Sequence, residues 1–144
     1  MMISRTLLIA AQPFGERLNA ERVAAAIGEG LLDGGWDVDP CPIDAGLAQA
    51  DAVALVRSSD FETRMRAARA VVIAEPRLDE QTLAGTVAFE IATRARQGGV
   101  PAYAVTREDC LDSFDARILD LQTILQARTH RSLAGAGREL AGLV

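Results

Sequence analysis

The sequence predicts an α/β fold of three layers, with helices on both faces of a mainly parallel sheet of four to five strands. Three observations carry that prediction. The runs TLLIAA (6–11), AVVIA (70–74) and AYAVT (102–106) are apolar throughout rather than alternating, as strands buried on both faces are. Between them lie segments of roughly 10 to 18 residues with apolar side chains at helical spacing, the pattern of βαβ crossovers. Glycine pairs at 34–35 and 98–99 punctuate the joints.

The first strand, 6–11, is closed by Pro13 and Gly15, and Phe14 behind it reads as core. Asn19 can cap a helix whose Val23, Ala26, Ile27, Gly30 and Leu31 recur at helical spacing until Gly34-Gly35 stops it. Residues 36–41 (WDVDPC) alternate and suit a more exposed strand, with Pro40 implying a sheet edge or an early end. Residues 45–57 are alanine-rich and weakly helical. Ser59 followed by Glu62 is a capping-box pattern that opens a helix through Arg69. After the strand 70–74, Asp79 or a neighbour caps a helix from about Glu80 to Gln97, with Leu83, Val87, Ile91 and Ala95 on one stripe. Val100-Pro101 leads into the strand 102–106. Segment 111–127 is ambiguous: Leu111, Phe114, Ile118, Leu121 and Leu125 have helical spacing, yet 118–121 also fits a short strand. Ser132 begins a last helix with Leu133, Ala136, Leu140 and Leu143 inward.

A chain of 144 residues, 49% hydrophobic and 24% charged, suits one domain over 1–144 with a core of its own. Fifteen basic residues against 20 acidic ones give a net charge of −5, with no basic stretch to track a phosphate backbone. Aromatic residues make up only 4%, too few for base stacking, so nucleic acid is excluded as a partner. Every basic residue is arginine, which removes lysine chemistry and any Walker-type phosphate loop. Cys41 and Cys110 form no CxxC pair and His130 is the single histidine, so no metal site is expected. Two buried or half-buried free thiols fit a reducing cytoplasm. The apolar run 7–11 is too short for a signal peptide or a membrane span, and the expectation is a cytoplasmic protein without a membrane partner.

Right-handed crossovers bring the carboxyl ends of the strands together, and the loops 12–17, 44–46, 75–79 and 106–109 should gather there. The ligand-binding candidates are Asp44, Glu75, Arg77, Asp79, Gln81 and Thr82. Glu75, Arg77 and Asp79 admit two readings. One is an acid–base or sugar-acid-binding cluster. The other is structural: Arg77 pairs with Glu75 or Asp79 while Asp79 caps the helix, leaving Gln81 and Thr82 as surface positions. Capping alone justifies the aspartate, which favours the second. His130 reads as an exposed loop residue, and Arg64, Arg66 and Arg69 as a solvated face.

Several stretches together resemble one family. LLIAAQPFGERLNAERVAAAIGEGL looks like an opening strand, an Asp-Ser-Phe-Lys-Gly loop and a Leu-Ser-Ala-Glu-Glu-Val-Ala helix; CPIDAG sits where a Pro-x-x-Asp-Gly-Gly-Glu-Gly-Thr loop would be. AVVIAEPRLDEQTLAGTVAFEIATRARQGGVPAYAV matches strand, Gly-Glu-Gly-Arg-Leu-Asp-x-Gln-Thr-x-x-Gly-Lys, helix, Gly-Val-Pro and strand. These are features of the bacterial glycerate kinases, which transfer the ATP γ-phosphoryl group to glycerate. The resemblance implies the Rossmann-like domain of that family, with the family's second domain missing at a gap near 50–68.

Glu75, Arg77, Leu78, Asp79, Gln81, Thr82 and Gly85 keep the family pattern. Gln12 replaces the loop aspartate, Gly15 the loop lysine and Glu16 the loop glycine; Ala74 and Pro76 replace the glycines flanking Glu75, and Thr86 the final lysine. Of the Asp-Gly-Gly loop only Asp44 or Ala45 and Gly46 remain. Phosphoryl transfer needs cations on the phosphate oxygens and close backbone approach, and here the lysines are gone and a carboxylate is added. The resemblance therefore implies a shortened, degenerate member: a module binding a small hydroxy acid or a partner, with no cofactor. The alternative is an active kinase using Mg and ATP, completed by oligomerisation or a separate subunit. A homodimer through surface near residues 45–69 is expected, because a missing domain would leave apolar surface there.

Overall fold

Leu7, Leu8 and Ile9 are consecutive and all fully buried, with Leu7 and Ile9 in one apolar core and Leu8 in another. Successive strand side chains point to opposite faces, so both faces must be covered. That requirement organises the molecule. A computed structural model describes residues 4–43 and 49–144. It contains β1 (Thr6–Ala11), α1 (Ala20–Asp33), β2 (Asp37–Pro42), α2 (Gln49–Val56), α3 (Ser59–Ala67) and β3 (Ala70–Leu78). A 3-10 helix (Glu80–Ala84), α4 (Val87–Gln97), β4 (Ala102–Asp109), α5 (Ser113–Leu119), β5 (Leu121–Gln126) and α6 (His130–Leu143) follow. All five strands are parallel, in the order β2-β1-β3-β4-β5.

One face is covered by α1 and α6, whose Val23, Ile27, Leu133 and Leu140 pack on Leu7, Ile9 and Val72. The other is covered by α2 to α5, with Val56, Phe61, Met65, Ile91 and Leu119 on Leu8, Val71 and Ile73. The three-layer α/β expectation holds, and Phe14 is core. Helices α1 and α6 touch through glycine: a Cβ at Gly30 would fall on the Ala134 carbonyl oxygen, and one at Gly137 on the Ile27 carbonyl oxygen.

Several boundaries differ from expectation, each for a local reason. Strand β3 runs past 74 to Leu78 and β4 past 106 to Asp109, pairing Arg77 with Glu108 and Leu78 with Asp109. The partnership with β1 ends at Ala74, so Pro76 sits where β3 is open on one side and its missing donor is tolerated. The helix expected over 80–97 is two elements, because Gly85 adopts a left-handed φ of 92° and Thr86 caps α4 anew by accepting from Phe89 N. Segment 111–127 is both helix and strand, divided at Asp120 with φ 52°. Ser58, rather than Ser59, caps α3; Glu62 pairs with Arg66 instead, and the helix stops at Ala67. Thr129 caps α6, which starts at His130, and Ser132 completes its capping box.

Arg64 is not part of a solvated face: it makes a bidentate pair with Asp39 and donates to the Pro40 carbonyl, tying α3 to the edge strand β2. His130 is exposed but pairs with Glu29 across α1 and α6 at 3.0 Å. Cys41 is buried, whereas Cys110 is exposed rather than half-buried. Among the described residues no helix is long and apolar enough to cross a membrane. Among the described residues the large exposed hydrophobic side chains are Leu32, Phe114, Ile118 and Leu143, none of them in 50–69.

Candidate functional site

In the order β2-β1-β3-β4-β5 the connection from β1 runs to β2 on one side and that from β3 to β4 on the other, so the carboxyl ends of β1 and β3 are the topological switch point of the sheet. Gln12 and Glu75 stand there. The Gln12 backbone N–H donates to the Ala74 carbonyl at 3.0 Å, which extends the β1–β3 pairing one step. By alternation, Gln12 follows Ala10 and Glu75 follows Ile73 toward the α2–α5 face. The Gln12 side-chain amide donates to the Glu75 carboxyl. Glu75 is half-buried, and desolvation raises its pKa from 4.5 to about 7. The hydrogen bond from Gln12 opposes the shift and the charge of Asp79 adds to it. A carboxyl that changes protonation near neutral pH therefore sits at the switch point of the sheet.

Beside it on β4, in register with Glu75, is Thr106, which is fully buried. Its hydroxyl donates to the Glu108 carbonyl at 3.1 Å. Arg77 lies one step outward. Its Nε donates to Asp79 at 2.9 Å and its Nη1 to Glu108 at 2.5 Å, bridging β3 to β4. Asp79 also accepts from the Gln81 backbone N–H at 2.9 Å, while the Thr82 hydroxyl accepts from Asp79 N at 3.0 Å. The Arg77 hydrogen bond is the main reason the Asp79 carboxyl titrates below its ordinary range.

The six candidate residues thus divide. Glu75 is at the mouth. Arg77 and Asp79 hold each other and the start of the 3-10 helix; the guanidinium partners are Asp79 and Glu108, not Glu75. Gln81 is exposed and contributes its backbone to the cap. Thr82 is buried and closes the capping box, which corrects its reading as a surface position: its β-branched hydroxyl substitutes for the usual glutamate. Asp44 lies outside the described residues.

Four residues of the site carry no separate signal in the sequence. Gln12 shows there only as a departure from the family pattern, and its role as the partner of Glu75 appears only when β1 and β3 are adjacent. Thr106, Arg107 and Glu108 fall in a segment legible as a ligand-end loop but not as individual contacts. Arg107 reaches over Gly15, which has φ +82°, and its Nη1 would lie 3.1 Å from a Cβ there. A guanidinium from β4 therefore occupies the space beside Gly15 in the loop after β1. On the outer side, Arg77, Asp79, Gln81, Cys110, Asp112 and Asp115 line an open depression of about 380 Å³. Two of its carboxylates, Asp79 and Asp112, are helix caps. Among the described residues no group of three or more His, Cys, Asp or Glu side chains is arranged to hold a metal ion.

Comparison with known proteins adds the following. The model of the glycerate kinase family matches residues 45–134. No curated protein matches. Among solved structures, the chain is similar to a diflavin flavoprotein A3 from Nostoc sp., with 16% identity, a TM-score of 0.51, and coverage of 99% of this chain and 94% of that one. It is also similar to a de novo designed Rossmann 2x3 fold protein, with 10% identity, a TM-score of 0.56, and coverage of 96% and 90% respectively. At these identities the two structures speak for the fold alone.

Proposed function

Because this chain belongs to the glycerate kinase family, we propose that it is a non-phosphorylating member that binds a small hydroxy acid at the carboxyl ends of β1 and β3. The observation that carries the reading is the Gln12–Glu75 pair at the switch point. Near neutral pH Glu75 is partly protonated, so it can donate to a ligand carboxylate or hydroxyl instead of repelling it. Gln12, tied to Glu75 through its amide nitrogen, keeps its amide oxygen for a ligand hydroxyl.

The same residues fit Mg-ATP poorly. An amide and a carboxyl that burial pushes toward the neutral form are weak ligands for Mg²⁺, which prefers ionised oxygens. The carboxylates of Asp79 and Glu108 are engaged by Arg77. Glu16 adds negative charge to the loop after β1, where phosphate oxygens would need cations. Our reading therefore includes no cofactor. The crossover through α2 and α3 stands in this proposal where the family carries its second domain, and without that second wall water enters a site that phosphoryl transfer must exclude it from. We place the module in the cytoplasm, with a homodimer as its assembly.

One observation favours the alternative of an active kinase completed by oligomerisation or a separate subunit: the Arg77 guanidinium at the sheet end is a cation that a second wall could recruit. Calorimetry separates the two. Glycerate is expected to bind with Mg-ATP giving no heat at millimolar concentration, and no ADP should form when all three are mixed. Saturable micromolar Mg-ATP binding, or ADP release that depends on glycerate, would replace the proposal with the kinase.

A further inference from the structure

The sheet has two edges, β2 and β5, and they are finished differently. On β2 the Asp37 and Ile43 N–H groups donate inward, to the Arg5 and Ala11 carbonyls, so alternation turns the backbone of Val38, Pro40 and Pro42 outward. Two of those three residues have no N–H, and the Pro40 carbonyl is already taken by Arg64 at 2.9 Å. Asp37 and Asp39 add charge to the same strand. Proline, charge and a covering arginine close this edge to a further strand.

Strand β5 has none of these devices: LQTILQ contains neither proline nor a charged side chain. The Ala127 N–H donates inward to the Thr106 carbonyl at 2.9 Å, so the backbone of Ile124 and Gln126 faces away from β4. Among the described residues no hydrogen bond reaches those outward N–H and C=O groups. The helix that leads into this strand, α5, carries two of the large exposed apolar side chains, Phe114 at 70% and Ile118 at 38% exposure. They are one helical turn apart and share a side of α5. Arg96 of α4 holds the Ile118 carbonyl, so α4 stands on one flank of α5 and the β5 edge lies on the other.

We propose that β5 is a dimerisation edge: the β5 of a second copy of this chain pairs with it antiparallel, about a twofold axis near Ile124. The argument for a second copy is charge. Asp120 and Arg128, just outside the two ends of β5, are exposed and make no ion pair among the described residues. Antiparallel pairing about Ile124 sets Asp120 of each copy against Arg128 of the other, and opposite charges facing across strands are stabilising. With β2 closed, assembly stops at two copies. The inference takes up the homodimer proposed above and gives it a surface at β5 in place of the one near 45–69; it is independent of Gln12 and Glu75.

Sedimentation velocity and amide exchange, each run from tens to hundreds of micromolar, test it together. The protein should pass from monomer to dimer and no further. Over the same range the Ile124 and Gln126 amides should exchange more slowly, while the Val38 amide stays as it was. Thr123→Lys places like charges near the axis and should weaken association about tenfold or more. Should that variant fail to fold, Phe114→Ser and Arg128→Glu change exposed side chains only, and each should weaken it several-fold. A monomer at every concentration would overturn the homodimer itself. A dimer whose Ile124 and Gln126 amides exchange as in the monomer, or one that both Phe114→Ser and Arg128→Glu leave as tight as before, would overturn this surface alone. Growth beyond two copies would overturn it as well.

Discussion

The two faces of the sheet are closed by different means. On one, α1 and α6 are 14 residues each and cross through Gly30 and Gly137, close enough for backbone to meet backbone. Long amphipathic helices in such contact leave no place for a polar side chain, and the core between them is Leu, Ile, Val and Ala with Phe14 and Tyr103. The other face is covered by α2, α3, α4 and α5, which are 8, 9, 11 and 7 residues long. Short helices meet at more ends than sides. Among them sit the buried Thr82 of the 3-10 helix and the half-buried Glu75 toward the end of β3. The lesson is that close backbone packing leaves one face wholly apolar, while shorter helices on the other leave room for buried and half-buried polar side chains.

The largest effect should come from closing the glycine contact. Gly30→Ala or Gly137→Ala should lower unfolding free energy by about 3 kcal/mol, since the added methyl must displace backbone rather than a side chain. Gly142→Ala on α6, where a Cβ meets nothing within 4 Å, should instead be neutral or stabilising by about 0.5 kcal/mol. Urea denaturation of the three variants measures both. Equal small effects at all three positions would erase the contrast between the faces.

On the other face the next effect is one of pH. The fold raises the Glu75 carboxyl from 4.5 to about 7, so between those values it holds a proton that the unfolded chain has released. Stability is therefore highest below the window, falls as pH rises through it, and is level above about 7. The fall should be about 2 to 3 kcal/mol at most, less to the extent that partial exposure screens the charge. Glu75→Gln should remove most of the slope and be the more stable protein at pH 8. Denaturation curves from pH 5 to 8 decide it; a Glu75→Gln protein with the parent's slope would assign the slope elsewhere.

How much of this was legible in the sequence follows the same division. Runs such as TLLIAA and AVVIA announce strands buried on both faces, and Asn19 with Gly34-Gly35 brackets α1, because these signals are local. The overrun of β3 and β4 was not legible, since Pro76 reads as a terminator until one knows that β1 has ended beside it. The sequence offers Glu75 or Asp79 as the partner of Arg77 without deciding between them, and Glu108 as the second partner depends on the β3–β4 register. Thr82 looked exposed because its burial comes from the 3-10 geometry after Asp79, not from an apolar stripe. Gln12 and Glu75 are 63 positions apart and meet only through topology.

Two smaller effects sharpen the comparison. Arg64→Ala removes the link from α3 to Asp39 and Pro40 and should cost about 1 kcal/mol, since the pair is bidentate but partly exposed. It should also speed amide exchange in β2 while leaving α1 and α6 as slow as before. Exchange that quickened equally on both faces would mean the faces are not separable. Smallest of all is the pair at the outer mouth. Asp79→Ala, which loses a cap and an ion pair together, should lower the melting temperature more than Arg77→Ala, which loses exposed pairs only. The reverse order would make the guanidinium, and not the cap, the organising group.

The most direct test of the switch-point site is the titration of the Glu75 carboxyl carbon by ¹³C NMR, with and without saturating glycerate. In the free protein the account predicts a midpoint near 7, and with glycerate a higher one, because an anionic ligand favours the protonated acid that donates to it. A carboxyl that titrates near its ordinary 4.5, or one whose midpoint glycerate leaves unmoved, would contradict it.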